Sequence, residues 1–432
     1  MILSNITTPL LGLVDTAILG HLDSPAHLGA AAIGASILSF VFWGFAFLRM
    51  GTTSLTACAF GQQDNNTLGK LLVQAGCLAI VLALLLLIAH TPIINFALML
   101  MQPPQEITTL AASYSQIRFY AAPAMLLNLT LIGWFIGMQN TRAPLLILVA
   151  VNAVNIVLDA WFILGLNMGS DGAALASAIA EYSGTTVALL LLLRSQHKQL
   201  LWPLHKSWLT DKQGYIGLLK VNSHLFLRTA CLLLTFAFFN AQSAQFGVDT
   251  LAANAILFQL LLLVAYGLDG FAHAAEALIG KSIGANNQTE YTLFLLTTGL
   301  WSVVLTVAMT VIFAAAKPLI MSLFTDIASV TAQLNAIYPW ILLLPLTSVW
   351  AYWLDGIYIG AGQTRRMLVS MLISCGGVFF PLWWLSQGWG NHGLWLAFTA
   401  LNLTRGLTLA LSLKHIGPKT TGGKLTESAP TV

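Results

Sequence analysis

The stretch Ile136-Gly-Met-Gln-Asn-Thr-Arg142 returns 223 residues later in the chain as Ile359-Gly-Ala-Gly-Gln-Thr-Arg365. The same offset aligns the segment 28–142 with the segment 251–365 without a gap. It pairs many small residues, among them Gly44 with Gly267, Gly61 with Gly284 and Gly76 with Gly299. Self-similarity at one fixed offset is the signature of a structural repeat. The sequence therefore predicts two halves built on one plan.

Composition places both halves in a membrane. Of the 432 residues, 57% are hydrophobic and 8% are charged, whereas a soluble domain carries roughly 25% charged residues. Apolar runs of about 20 residues, the length that crosses ~30 Å of hydrocarbon, follow one another along nearly the whole chain. We number them spans 1 to 12, near residues 2–20, 28–58, 69–89, 113–138, 144–166, 173–194, 216–241, 251–280, 292–315, 335–360, 367–387 and 392–413.

The spans predict an all-α integral membrane protein of two six-helix bundles. Because each half holds an even number of spans, both halves enter the membrane from the same side, which is the parallel-repeat plan of secondary transporters. We expect an N-terminal lobe (1–195), a cytoplasmic linker (196–215), a C-terminal lobe (216–415) and a disordered cytoplasmic tail (416–432). Lys and Arg lie mainly after even-numbered spans, with Lys317 as the exception. The positive-inside rule then places both termini in the cytoplasm.

Span 1 begins almost at Met1, so we expect the natural start to lie upstream. Its apolar stretch has no basic region ahead of it and is interrupted by Pro9 and Asp15, which is not typical of a cleaved signal peptide. Proline inside a helix kinks it, and Pro9 is therefore the candidate hinge of span 1.

Two aspartates in the first half are the leading functional candidates, because an ionisable side chain at bilayer depth is costly. Asp15 lies in Pro9-Leu-Leu-Gly-Leu-Val-Asp-Thr-Ala-Ile-Leu-Gly20, within span 1. Asp159 in span 5 shares one helix face with Asn155 and Asn152, whose amides can stabilise either protonation state. Both spans run outward. Asp15 precedes Gly20 by five residues and Asp159 precedes Gly165 by six, so we expect the two carboxylates at a similar depth.

Span 6 is expected to extend this polar patch through Ser177 and Glu181, which are one helical turn apart. We group Asp15, Asp159, Asn155, Asn152, Ser177 and Glu181 as a candidate cation-coupling site. Trp202 and Trp208, which flank the linker, are expected at the membrane interface.

The acidic residues of the second half align with uncharged residues of the first half. Asp269, His273 and Glu276 fall on one face of span 8, and Asp355 lies in span 10. A histidine between two acids suits a proton relay or a cation site. The same group is equally consistent with a buried ion-pair network that involves Arg228 or Arg49.

Several function classes lack their residues. We find no Gly-rich nucleotide loop ending in Lys-Ser/Thr and no His-Glu-x-x-His zinc motif, so we expect neither ATP use nor enzymatic activity. Cys58, Cys77, Cys231 and Cys375 have no metal-ligand spacing. We expect no cofactor and no resident metal, although Na⁺ remains a candidate ligand of Asp15 and Asp159.

The motifs around Asp15 and Asp159, together with Asp269-Gly-Phe-Ala-His-Ala-Ala-Glu276 and Asp355-Gly-Ile-Tyr-Ile-Gly360, resemble the multidrug and toxic compound extrusion (MATE) transporters, specifically their DinF-like branch. The resemblance covers the chain up to about residue 415. It implies a V-shaped pair of bundles that exports cationic or amphipathic compounds in exchange for H⁺ or Na⁺. Asp15 and Asp159 resemble that family's cation-coupling aspartates. Ser177 stands where relatives often have threonine.

This resemblance leads to a hypothesis in which protonation of Asp15, coupled to Asp159, bends span 1 at Pro9 and expels cargo by alternating access. The expected partners are a small cationic or amphipathic molecule, H⁺ or Na⁺, and membrane lipid, and we expect no nucleic acid. We expect a monomeric protein in the inner (plasma) membrane. One alternative is a flippase for lipid-linked or polyanionic saccharides, which predicts a cationic cavity. Another is an intramembrane hydrolase with Asp15 and Asp159 as its acid pair.

Overall fold

The computed structural model describes residues 24–194 and 205–418, together with Ile18 and Leu19. Asp15 and the proposed hinge Pro9 lie outside the described residues. The same holds for Trp202, for the first part of the predicted linker and for the tail after residue 418.

The described residues contain eleven membrane-spanning helical segments and no strand. They confirm spans 2 to 12 and the all-α fold class. Span 4 is a pair of helices, Gln105–Phe119 and Ala122–Gly137, bent by 50°, with Pro123 in the first turn of the second helix. The other ten are Pro25–Gly61, Asn65–Met101, Arg142–Gly165, Gly169–Arg194, Lys212–Gln245, Val248–Gly284, Gln288–Ala315, Ala328–Gly360, Thr364–Trp389 and Asn391–His415.

Two spans change helix type along their length. Span 5 is α-helical over Arg142–Asp159 and continues as a π-helix over Ala160–Gly165. Span 11 passes through a π-helix, Ile373–Phe379, before Pro381. Such widened turns are rare and often mark functional sites. Two short helices join spans: a linker helix, Lys206–Thr210, and a loop helix, Lys317–Phe324.

The repeat is visible in the turns between helices. Asp64 caps span 3 by accepting a hydrogen bond from the Thr67 backbone N–H at 3.0 Å. Asn287, 223 residues later, caps span 9 in the same way at 3.1 Å. The residues just before these caps, Gln63 and Asn286, both have left-handed backbones, with φ of 57° and 53°. The Thr67 hydroxyl also donates to Asp64 and lowers the pKa of that carboxyl.

The repeat is equally visible in helix packing. A Cβ on Gly133 of span 4 would lie 2.5 Å from the Arg49 carbonyl oxygen of span 2. A Cβ on the equivalent Gly356 of span 10 would lie 2.3 Å from the Ala272 carbonyl oxygen of span 8. One turn further, a Cβ on Gly137 would lie 2.6 Å from the Thr56 side chain, and a Cβ on Gly360 would lie 2.4 Å from the Glu276 carbonyl oxygen. Each half thus uses a Gly-x-x-x-Gly face to bring two helix backbones together, as is common in membranes.

The described residues divide into two compact units, and the division falls between Asn222 and Ser223, inside span 7. The core of the first unit includes Leu68, Trp134 and Leu218. The core of the second is aromatic, with Phe239 packed edge-on against Phe258 and Trp395. The extents of the two lobes given above stay a prediction.

The linker helix is fixed to the first unit. Gln74 of span 3, which is fully buried, donates to the backbone carbonyls of Trp208 at 2.9 Å and Asp211 at 3.3 Å. Lys70 forms an ion pair with Asp211, and its hydrogen bond lowers the pKa of that carboxyl. Trp208 is buried, and its indole N–H donates a hydrogen bond to the side-chain oxygen of Asn66, at the start of span 3. The Trp208 ring therefore packs against the protein instead of facing lipid, and its depth at the membrane interface stays a prediction.

Candidate functional site

Spans 5 and 6 form a polar group inside the first unit. Asp159 and Asn155, one turn apart on span 5, are both fully buried. The Asn155 side-chain amide donates to the Ser177 hydroxyl of span 6 at 3.1 Å, and Ser177 is buried as well. The structure therefore brings together three of the residues that the sequence grouped.

The local sequence explains this placement. The buried face of span 6 is lined by small residues, Ala173, Ala176 and Ala180 among them, which let span 5 approach closely. A Cβ on Gly184 would lie 2.5 Å from the Val151 side chain, so this approach continues for a further turn. Asp159 is the last α-helical residue before the π-helix of span 5. The carboxylate thus lies at a break in the regular hydrogen-bond ladder.

Glu181 has a partner that the sequence did not reveal. The side-chain amide of Asn128 in span 4 donates to the Glu181 carboxylate at 2.9 Å, and the Thr185 hydroxyl donates to the Asn128 side-chain oxygen at 2.9 Å. Asn128 is buried and Glu181 is half-buried. The Glu181 carboxylate is therefore connected to span 4. Asn152, on the Asp159 face of span 5, is half-buried.

The second unit holds a buried charge cluster. Asp355 of span 10 accepts hydrogen bonds from Arg228 of span 7 and Arg405 of span 12 through the same oxygen, Oδ2. Less than a tenth of each of these three side chains is exposed. Arg405 also donates to Asn402 at 3.3 Å. An ion pair with Arg228 was one of the two interpretations of the second-half acids, and Arg405 was not foreseen.

The remaining second-half candidates lie on span 8. Glu276 is buried, and Asp269 and His273 are half-buried. Asp269 is close enough to Arg228 to interact with it electrostatically. The cluster therefore contains two arginines and at least two acids, a balance that lowers the cost of burying each charge. Within the described ranges, no three His, Cys, Asp or Glu side chains are arranged to hold a metal ion.

Comparisons with known proteins agree with this architecture. The family model described as MatE matches residues 1–161 and again residues 225–385, one match in each half of the repeat. The DNA damage-inducible protein F of Escherichia coli (strain K12) is 40% identical over 95% of this chain and 89% of its own length. The human Multidrug and toxin extrusion protein 1 is 24% identical over 76% of this chain and 58% of its own length.

A solved structure described as the eukaryotic MATE transporter AtDTX14 has the same fold. It matches with a TM-score of 0.86 at 18% identity and covers 96% of this chain and 93% of its own.

Proposed function

The chain belongs to the MatE family of membrane transporters, and from that premise we propose that it exports cationic or amphipathic compounds in exchange for H⁺ or Na⁺. Membership confirms the resemblance noted in the sequence and makes the chain a multi-pass membrane transporter and not an enzyme. The hydrolase alternative is thereby set aside.

The observation that carries the proposal is Asp159. A fully buried carboxylate inside a membrane bundle costs several kcal/mol if it stays ionised without compensation. Binding a proton or a sodium ion removes that cost. Asn155 and Ser177, which are joined by a hydrogen bond, supply the amide and hydroxyl oxygens that suit either ion. Asp15 of span 1 is the proposed second carboxylate, and Pro9 the proposed hinge.

Ion binding at this site can drive alternating access because it changes the charge of the helix interior. With the ion bound, spans 1, 5 and 6 can pack closely around a neutral site. Once the ion leaves, the carboxylate requires polar surroundings, which favours a more open and hydrated bundle. Cargo and ion then exclude each other from the same lobe, which is the requirement for exchange.

The charges of the second unit favour cationic cargo over the polyanions of a flippase. In the second unit, Arg228 and Arg405 already share Asp355. Their charges are therefore partly neutralised, whereas a cavity for a polyanion needs free cationic groups. We further propose an inner-membrane location, with both termini in the cytoplasm and a monomeric unit of function.

The test is efflux of a fluorescent organic cation from proteoliposomes that contain the purified protein, with pH and Na⁺ gradients imposed separately. We expect one of the two gradients to accelerate efflux and protein-free liposomes to show no response. Equal efflux with and without both gradients would refute coupled exchange. Movement of a fluorescent lipid-linked saccharide without cation efflux would favour the flippase.

A further inference from the structure

A single histidine joins the first turns of spans 2 and 6. His27 accepts a hydrogen bond from the backbone N–H of Ser170 through Nδ1 at 3.3 Å, and the Ser170 hydroxyl lies 3.2 Å from the same nitrogen. The ring fits there because residue 169 is glycine. A Cβ on Gly169, whose φ is +56°, would lie 2.6 Å from the imidazole.

The direction of this hydrogen bond fixes the charge state of His27. A backbone N–H can only donate, so Nδ1 must carry a lone pair and the ring must be neutral with its proton on Nε2. A protonated ring has N–H groups at both nitrogens and would turn one of them toward the Ser170 N–H. It would also place a positive charge at the positive end of the helix dipole of span 6. Protonation therefore breaks the contact.

Acidic groups surround the contact on the helices packed against span 2. Asp171 follows Ser170 on span 6. Its Oδ2 accepts a hydrogen bond from the Ser113 hydroxyl at 3.0 Å. Its Oδ1 is buried and has no hydrogen-bond partner among the described residues. Glu106 of span 4 is exposed beside Ile107, which packs near Gly29. Asp23 precedes span 2 in sequence and lies outside the described residues. The first two turns of spans 2, 4 and 6 contain no Lys or Arg.

The second unit joins its corresponding spans, 8 and 12, without a titratable group. Asn254 and Asn391 exchange two side-chain hydrogen bonds, at 2.9 and 3.0 Å. Trp395 donates to Asn254 at 2.8 Å, and Asn254 donates to Ser243 at 2.7 Å. Amides and an indole keep their hydrogen-bonding character across the physiological pH range. Of these two equivalent connections, only the one in the first unit can respond to protons.

We propose that His27 is a proton-sensitive contact that positions span 6, the helix that carries Ser177. Neutral His27 holds the first turn of span 6 against span 2. Protonation releases that turn and draws the imidazolium toward Asp171, whose Oδ1 is available to accept. Histidine is the side chain whose ordinary titration lies between pH 5 and 8. The contact therefore loosens once the pH on its side of the membrane is low enough to protonate the ring.

Hydrogen–deuterium exchange on the full-length protein in lipid nanodiscs tests this directly and requires no cargo. The readout is the protection factor, corrected for intrinsic exchange, of a peptide covering residues 168–174 between about pH 5.5 and 8.5. Loss of one hydrogen bond corresponds to about fivefold lower protection. We expect that decrease at low pH in the wild type. The peptide at the start of span 9, whose first turn is capped by the side-chain amide of Asn287, is the internal control and should stay constant.

Two variants separate protonation of His27 from other effects of pH. His27→Asn keeps an acceptor near the position of Nδ1 but cannot titrate, and we expect its protection to be independent of pH. Asp171→Asn leaves His27 intact and removes the acceptor for the imidazolium, which should move the loss of protection to lower pH. A low-pH decrease of the same size in His27→Asn would overturn the proposal, and so would unchanged protection in the wild type. If His27→Asn fails to fold, the Asp171→Asn shift decides.

Discussion

At the scale of single residues, Asp159 and Asp355 are both buried acids in a membrane, yet their described neighbours differ. Asp355 has two arginines on one oxygen, so its charge is compensated within the protein. Asp159 lies one helical turn from Asn155, which donates to Ser177, and we propose that these groups help it to bind a proton or a sodium ion. Asp355 is therefore suited to holding helices together, and Asp159 is the residue proposed to exchange an ion.

The variant Asp159→Asn should abolish ion-linked export while the protein still inserts and folds. The amide cannot bind a proton or offer a charge to Na⁺, but it fills the same volume. Efflux of a fluorescent cation from proteoliposomes should fall to the level of protein-free liposomes. Asp249→Asn, which removes the same charge at an exposed position, should transport as the wild type does. Gradient-driven efflux retained by Asp159→Asn would exclude this residue as the carrier.

The variant Asp355→Asn should instead destabilise the protein. It leaves Arg228 and Arg405 buried without their shared carboxylate, and breaking a buried ion pair typically costs about 3–5 kcal/mol. We expect a clearly lower midpoint of thermal unfolding in detergent. Asp326→Asn, an exposed acid beside the loop helix, is the matched control and should leave the midpoint unchanged. An equal midpoint for both variants would show that the cluster contributes no stability.

At the scale of elements, the repeat is conserved where helices meet and not where charges lie. The paired glycines that bring span 4 onto span 2 and span 10 onto span 8 occupy equivalent positions, as do the caps Asp64 and Asn287. Close backbone approach and helix starts depend on residue size and local hydrogen bonds, which both halves need equally. The ionisable residues are free to differ, because each half uses them differently.

Replacing Gly360 by alanine should therefore weaken the second unit. Its Cβ would lie 2.4 Å from the Glu276 carbonyl oxygen, and a backbone atom cannot move away as a flexible side chain can. Overpacking of this kind costs about 1–3 kcal/mol, which thermal unfolding in detergent would detect. Gly217→Ala is the control, because a Cβ there meets nothing within 4 Å. It should be neutral or, through lost chain entropy, stabilising by about 0.5–1 kcal/mol. Equal midpoints would contradict the close approach.

The elements were predictable from sequence to the extent that their causes are local. Spans 2 to 12 followed from apolar runs of sufficient length, and Asn155 was grouped with Asp159 because they are one turn apart. Asn128 and Arg405 were missed because they lie 53 and 50 residues from the acids they contact. Helical periodicity contains no information on which spans become neighbours. The π-helix after Asp159 was also missed, since no proline or glycine pattern announces it.

At the scale of the whole molecule, a duplicated frame with different charges in each half suggests a division of labour. In the second unit, buried Asp355 and Glu276 accompany the arginines and a large aromatic core. In the first, the proposed carriers Asp159 and Asp15 are accompanied by amides and hydroxyls. This difference agrees with the proposal that the coupling ion binds in the first unit. The number of ions moved per cycle then depends on how many first-unit carboxylates exchange them.

For proton coupling, this stoichiometry predicts the limit of the cargo gradient. If Asp159 and Asp15 share one proton per cycle, exchange for a monovalent cation is electroneutral, and each pH unit supports about a tenfold cargo gradient. If each carries its own proton, the limit is about a hundredfold per pH unit and also rises with membrane potential, by ~2.3 kcal/mol per 100 mV. The proposed pairing of Asp15 with Asp159 would disfavour simultaneous ionisation of the two carboxylates, and we therefore expect the shared proton. The measurement is the steady-state accumulation ratio of a monovalent fluorescent cation in proteoliposomes against the imposed pH difference, with the potential clamped. A slope of two decades per pH unit, or a response to potential alone, would contradict the shared proton.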